Sequence, residues 1–178
     1  MQSVVARSLT TAVLASVLLG GCGLTHLQDL NFRVDDRLHF LSPEPRALVH
    51  PPLTVRWTMD DFTIVRPGSA PPSRDAGYFA VFVDRAPIHP GETLDAVGKG
   101  DPVCDPDPKC PDTQYLHDHG VYPTTAMQLR LPHVIDLRGN REKVQLHTIT
   151  VVLLDTAGRR IGESAWELDV RIPRIGVL

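Results

Sequence analysis

The end of the chain constrains the fold most. Val144-Gln145-Leu146-His147-Thr148-Ile149-Thr150-Val151-Val152-Leu153-Leu154 is long and rich in β-branched residues. Asp155-Thr156-Ala157-Gly158 then supplies turn chemistry. A second run from Ile161 to Ile172 places Trp166, Leu168, Val170 and Ile172 on one side and Glu167, Asp169 and Arg171 on the other. A period of two residues is the pitch of a half-buried strand. Residues 143 to 172 therefore read as a closing β-hairpin.

Upstream segments repeat the pattern. Leu53 to Met59 alternates, with Val55, Trp57 and Met59 opposed to Thr54, Arg56 and Thr58. Tyr78 to Asp84 is dense in aromatic and β-branched residues and reads as a central strand. Further strand candidates are Asn31 to Phe40, broken at Asp35-Asp36, then Phe62 to Val65 and Ala126 to Leu131. The 16 prolines and 13 glycines cluster between these runs, where they punctuate strands. Residues 66–77 read as a loop. About seven strands without a convincing long helix imply an all-β chain of two antiparallel sheets packed face to face.

The pattern resembles an immunoglobulin-like or fibronectin-like sandwich. The run Gly77 to Asp84, then Pro87 and Gly91-Glu92, with the later Gln128–Leu131 and Val151–Asp155 segments, resembles small bacterial extracytoplasmic sandwich domains of unassigned function. Relatives of that kind often carry histidines in the strand equivalent to Tyr78-Phe79. This chain has none there, so no histidine role transfers.

The beginning of the chain addresses location. Arg7 and the amino terminus give a weakly positive start, followed by an apolar stretch from Ala12 to Leu19. Such a segment is an export leader rather than part of the fold. It is too short and too glycine-rich at its end to span a membrane comfortably. Leu19-Gly20-Gly21-Cys22 resembles the lipobox of bacterial lipoproteins. The resemblance implies cleavage before Cys22, a diacylglyceryl group on its thiol and acylation of the new amino terminus. One acyl chain holds a protein only marginally, whereas several give stable anchoring. The expected organisation is a signal peptide at 1–21, a lipidated end and short tether at 22–30, and one sandwich domain at 31–178. The expected location is the extracytoplasmic face of a cell membrane or outer membrane, with membrane lipid as the first partner through Cys22.

Removing residues 1–21 from 178 leaves 157, enough for a sizeable core. Arg7 is the only charge lost, so the formal net charge moves from −3 to −4. No basic patch or stripe is present, which argues against a nucleic-acid partner.

Residues 88–123 form an irregular insertion without sustained apolar periodicity. Long ordered loops in compact domains are often functional, so this segment is the expected functional surface. It holds Cys104 and Cys110, the two thiols left once Cys22 is lipidated. In an oxidising compartment these are expected to form a disulfide closing a proline-stiffened loop. Their spacing does not match a thioredoxin-like C-x-x-C pair.

Metal chemistry is the alternative. Asp101, Asp105, Asp107 and Asp112 offer hard oxygen ligands for calcium, without the order of an EF-hand loop. They are equally turn formers beside prolines. His117 and His119 would share a face if Tyr115 to Tyr122 were extended, and with His89 or His133 nearby they suit copper or zinc. Cys104 and Cys110 with the same histidines would nominally complete a zinc site. Otherwise these residues anchor a loop flanked by tyrosines.

The chain carries no G-x-S-x-G, H-E-x-x-H or P-loop. The favoured expectation is a noncatalytic binding or structural module of the cell envelope with no cofactor. Its partner would be an envelope protein, a cell-wall polymer or a small ligand. A metal-binding lipoprotein is the alternative, and an extracytoplasmic hydrolase the less favoured one. Joint exposure of Tyr115, Leu116, Val121 and Tyr122 would mark 88–123 as a binding loop. Burial of those residues would make it packing.

Overall fold

The computed structural model describes residues 35–174. The strands are β1 (Leu38–Ser42), β2 (Leu53–Met59), β3 (Thr63–Ile64), β4 (Ala76–Val83), β5 (Val121–Thr124), β6 (Gln128–Leu131), β7 (Val144–Leu154) and β8 (Trp166–Pro173). One short helix, α1, spans Thr113–Asp118, and a single 3-10 turn spans Leu94–Val97. Cys22, the leader and the Asn31–Val34 part of the first strand candidate lie outside the described residues.

Two sheets form. The smaller has the order β1-β2-β6, all antiparallel. The larger has the order β3-β4-β7-β8, with β5 also paired to β4. The fold is thus all-β and two-layered, as the alternation predicts, with eight strands among the described residues. One pairing between strands departs from the antiparallel expectation, and the isolated Leu48–Arg171 bridge is parallel as well. Thr63 and Ile64 of β3 run parallel to Ala76 and Gly77.

The alternating strands put their apolar residues between the layers. Leu53, Val55, Trp57 and Met59 face inward from β2, and Trp166, Leu168, Val170 and Ile172 from β8. Phe79 and Val81 of β4, with Ile149, Val151 and Leu153 of β7, complete the core. Trp57 meets Phe79 edge to face across the layers, with ring centroids 5.4 Å apart. Gly77 permits the tightest approach in β4. A Cβ there would lie 1.8 Å from the Leu154 carbonyl oxygen, so only glycine fits the pairing with β7.

The other face of the larger sheet is also apolar. Tyr78, Ala80 and Phe82 of β4 join Val152 and Leu154 of β7 in a second core. A sheet buried on both faces needs a cover. The insertion provides it. Ile88, Val97, Leu116 and Val121 pack onto this face. β7 records the edge of the cap in its own pattern, since Leu146 is exposed while every residue from Ile149 to Leu154 is buried.

The free side of β8 is also covered. The Val49 amide donates to the Arg171 carbonyl, the Arg171 amide to Ala47, and the Arg46 amide to Asp169. A paired edge of this kind is protected against adding a foreign strand.

Candidate functional site

The insertion is a cap, which corrects the expectation of a free binding loop. Of its four marker residues, Leu116 and Val121 are buried, and Tyr115 and Tyr122 are partly buried. Single apolar residues at irregular spacing hold it down, and such spacing leaves no periodic signal. Arg160 fastens its start by donating to the Ile88 carbonyl at 2.5 Å.

Cys104 and Cys110 form a disulfide with Cα atoms 5.1 Å apart. Cys104 is buried, and a Cβ on Gly98 would lie 2.3 Å from its Sγ. The outer tip of the loop is open, with Val103 76% exposed.

All four aspartates considered for calcium have backbone work. Asp101 Oδ1 accepts the Val103 amide at 2.8 Å, and Asp105 Oδ1 the Gly100 amide at 3.1 Å. Asp107 Oδ1 accepts the Lys109 amide at 2.9 Å, and Asp112 Oδ1 caps α1 through the Tyr115 amide at 2.8 Å. This is the turn and N-cap chemistry of aspartate. Asp105 and Asp107 also line a cavity of about 560 Å³ with Glu92 and Asp95.

His117 and His119 do not lie on one face of an extended segment. The Asp112 cap starts a helix there, with His117 inside α1 and His119 at its C-cap. Each ring stacks on a tyrosine, His117 on Tyr122 at 4.9 Å between centroids and His119 on Tyr115 at 3.9 Å. His119 Nδ1 lies 2.7 Å from the Tyr115 carbonyl, which only accepts, so the proton sits on Nδ1. His119 Nε2 faces Asp101 Oδ2 at 3.7 Å. The Tyr115 hydroxyl donates to the same Oδ2 at 2.6 Å. That bond, with the Val103 amide and the nearby imidazole, holds the Asp101 carboxyl below its usual range and raises the Tyr115 phenol. Among the described residues, no three His, Cys, Asp or Glu side chains converge in a metal-holding group.

The structure does bring three of the histidines to one place. His117, His119 and His133 line a cleft of about 430 Å³ between the end of α1 and the segment that follows β6. Val83, Tyr122, Leu131 and Val134 make its walls apolar, and Arg85, Asp118, Asp136 and Arg138 add charge. Ile135 also lines it and is 78% exposed. A neighbouring cavity of about 560 Å³ shares His117, Tyr122, His133 and Ile135 and extends along β5 and β6. His89 lines neither cavity.

One wall of the cleft includes Asp84, whose pairing with a buried histidine the sequence did not single out. Asp84 has φ of +54° at the end of β4, a backbone conformation aspartate tolerates better than most residues. Its Oδ1 accepts the Thr148 amide at 3.0 Å, and its Oδ2 lies 2.7 Å from His147 Nδ1. His147 is 2% exposed and points between the sheets. The signal was available, because His147 and Gln145 are polar at the inward phase of an apolar strand. Gln145 is satisfied by the Leu137 amide and the Asn140 carbonyl, which fixes the loop after the cleft segment. Among the described residues, no Ser, Thr or Cys lines the cleft.

Comparison with family models, curated proteins and solved structures finds no match to the chain.

Proposed function

We propose that this chain is a lipid-anchored, noncatalytic binding module of the bacterial cell envelope. In this reading its partner enters the cleft beside α1, and the disulfide loop is structural. The lipobox-like Leu19-Gly20-Gly21-Cys22 supports the anchor. The Cys104–Cys110 disulfide suits an oxidising compartment. Among the described residues no helix is long and apolar enough to cross a membrane. An immunoglobulin-like or fibronectin-like topology is part of the proposal, supported by the two packed sheets, with the parallel β3–β4 pairing as its departure.

The observation that carries the reading is Ile135. A large aliphatic side chain stands 78% exposed on the lip of a cleft with apolar walls. Concave sites with apolar walls and a few placed polar groups are the usual form of a binding site. The partner classes are an envelope protein, a cell-wall polymer or a small ligand, and an exposed aliphatic lip favours the first. A photo-crosslinking residue at Ile135, compared with one at the exposed Leu41 of β1, tests this in intact cells. A discrete adduct from position 135 and none from 41 is expected. Equal labelling from both, or none from 135, would count against the cleft.

A further inference from the structure

We propose a second, separate binding site, for an oxyanion of the phosphate or carboxylate type, in the cavity lined by Arg74, Arg159 and Arg160. It lies at the opposite end of the β4–β7 pair from the Asp84 cleft, since Tyr78 pairs with Leu154 and Val83 with Ile149. It does not depend on the cleft.

The turn between β7 and β8 mounts two of these arginines rigidly. Asp155 Oδ1 accepts the amides of Ala157 and Arg159, both at 2.9 Å, and the Asp155 amide donates to the Arg159 carbonyl. The Arg160 amide donates to Glu92, and the Gly91 amide returns a bond to the Arg160 carbonyl. Arg159 Nη1 donates to the Gly91 carbonyl. A guanidinium presented from backbone fixed on two sides is preorganised for recognition.

Arg160 has an unusual environment. It is 8% exposed, and its Nη atoms donate to the carbonyls of Ile88, Glu163 and Ser164. All three acceptors are neutral, and its Nε has no partner among the described residues. A buried full charge normally has a carboxylate in contact. Burial pushes this guanidinium below its ordinary value, with Glu163 opposing.

The cavity beside it has a volume of about 630 Å³. Arg74 lines it from the loop before β4. Asp155 and Glu163 are its acidic residues, so three guanidinium groups meet two carboxylates. Asp155 already has Oδ1 committed to the turn. The lining is net positive on a chain of formal net charge −3. Guanidinium groups bind phosphate and carboxylate through N–H donors, and with the Arg160 Nη atoms on backbone carbonyls those donors would come from Arg74 and the remaining N–H groups of Arg159, with Arg160 adding charge.

The test is an NMR titration of the full-length chain in detergent with sodium phosphate and, separately, sodium acetate. Sodium chloride at matched ionic strength is the reference. Saturable shifts at the amides of Gly91, Arg159 and Gly162 are expected. Arg74→Gln and Arg159→Gln should each weaken binding about tenfold. Neither residue is in the core, so both variants keep the fold, which the unchanged remainder of the spectrum verifies. Saturation with phosphate alone or acetate alone supports the site and identifies its anion. Shifts that never saturate, that chloride reproduces, or that persist unchanged in both variants would overturn it.

Discussion

The imidazole of His147 lies 2.7 Å from the carboxylate of Asp84, joining the inner face of β7 to the turn that ends β4. The same carboxylate accepts the Thr148 amide. A buried imidazole without this partner would leave a polar group unsatisfied between the sheets. Asp84→Ala should therefore destabilise the protein by about 1–3 kcal/mol, measured by urea unfolding. Asp84→Asn keeps a residue tolerant of positive φ and should lose less. Equal losses would show that the carboxylate itself, rather than tolerance of positive φ, sets the effect.

The cap predicts a large effect at a position that looks like loop in the sequence. Leu116 is buried against the outer face of β4 and β7. Leu116→Ala should lower unfolding free energy by about 2–4 kcal/mol. A loss under about 0.5 kcal/mol, as for an exposed loop residue, would contradict the packing described here.

Gly98 and the disulfide should behave as one unit. An alanine at 98 would drive its Cβ into Cys104 Sγ, which the cross-link holds in place. Gly98→Ala should be destabilising alone and clearly less so in a Cys104→Ala/Cys110→Ala background, where only the 3.2 Å approach to the Cβ of residue 104 remains, giving a clear coupling energy in a double-mutant cycle. Removing the disulfide should itself cost about 2–3 kcal/mol, small because the loop it closes is short. Strict additivity of the two changes would refute the contact.

Asp35 gives the stability a defined acid dependence. Arg37 and the Ser164 hydroxyl, which donates at 2.6 Å, hold its carboxyl down at about 2 against burial. The Trp166 indole donates to the Asp35 carbonyl at 2.7 Å, so this residue ties the start of the described chain to β8. A carboxyl lowered in the folded state stabilises fully above its unfolded value near 4, and loses that contribution as pH falls towards 2. Partial solvent screening reduces the contribution to about 1–2 kcal/mol. Asp35→Asn should be less stable at pH 7 and show a flatter stability profile between pH 4 and pH 2. Parallel profiles for the two proteins would remove Asp35 from the explanation.

Strands that bury one face were legible in the sequence. Leu53–Met59 and Trp166–Ile172 alternate because each faces water on one side, and the structure keeps those phases. The insertion was not legible, since Ile88, Val97, Leu116 and Val121 touch the sheet singly, between prolines, glycines and aspartates. Its trace lay elsewhere. Tyr78 to Val83 and Val151 to Leu154 are apolar on both faces, and a two-layer sandwich covers only one of them. At the candidate site, His117, His119 and His133 stood out as residue types. Their convergence depends on a helix begun by Asp112 and on a loop fixed by Gln145, which are tertiary facts. Ile135 carries no signal in the sequence, and only its exposure makes it informative.

An anchored binding module depends first on Cys22. Mass spectrometry of the amino-terminal peptide from envelope fractions measures its state directly. The expected result is a mature chain beginning at Cys22 and carrying diacylglyceryl and acyl groups. A mature chain with an unmodified Cys22 thiol, or one that retains residues 1–21, would contradict it.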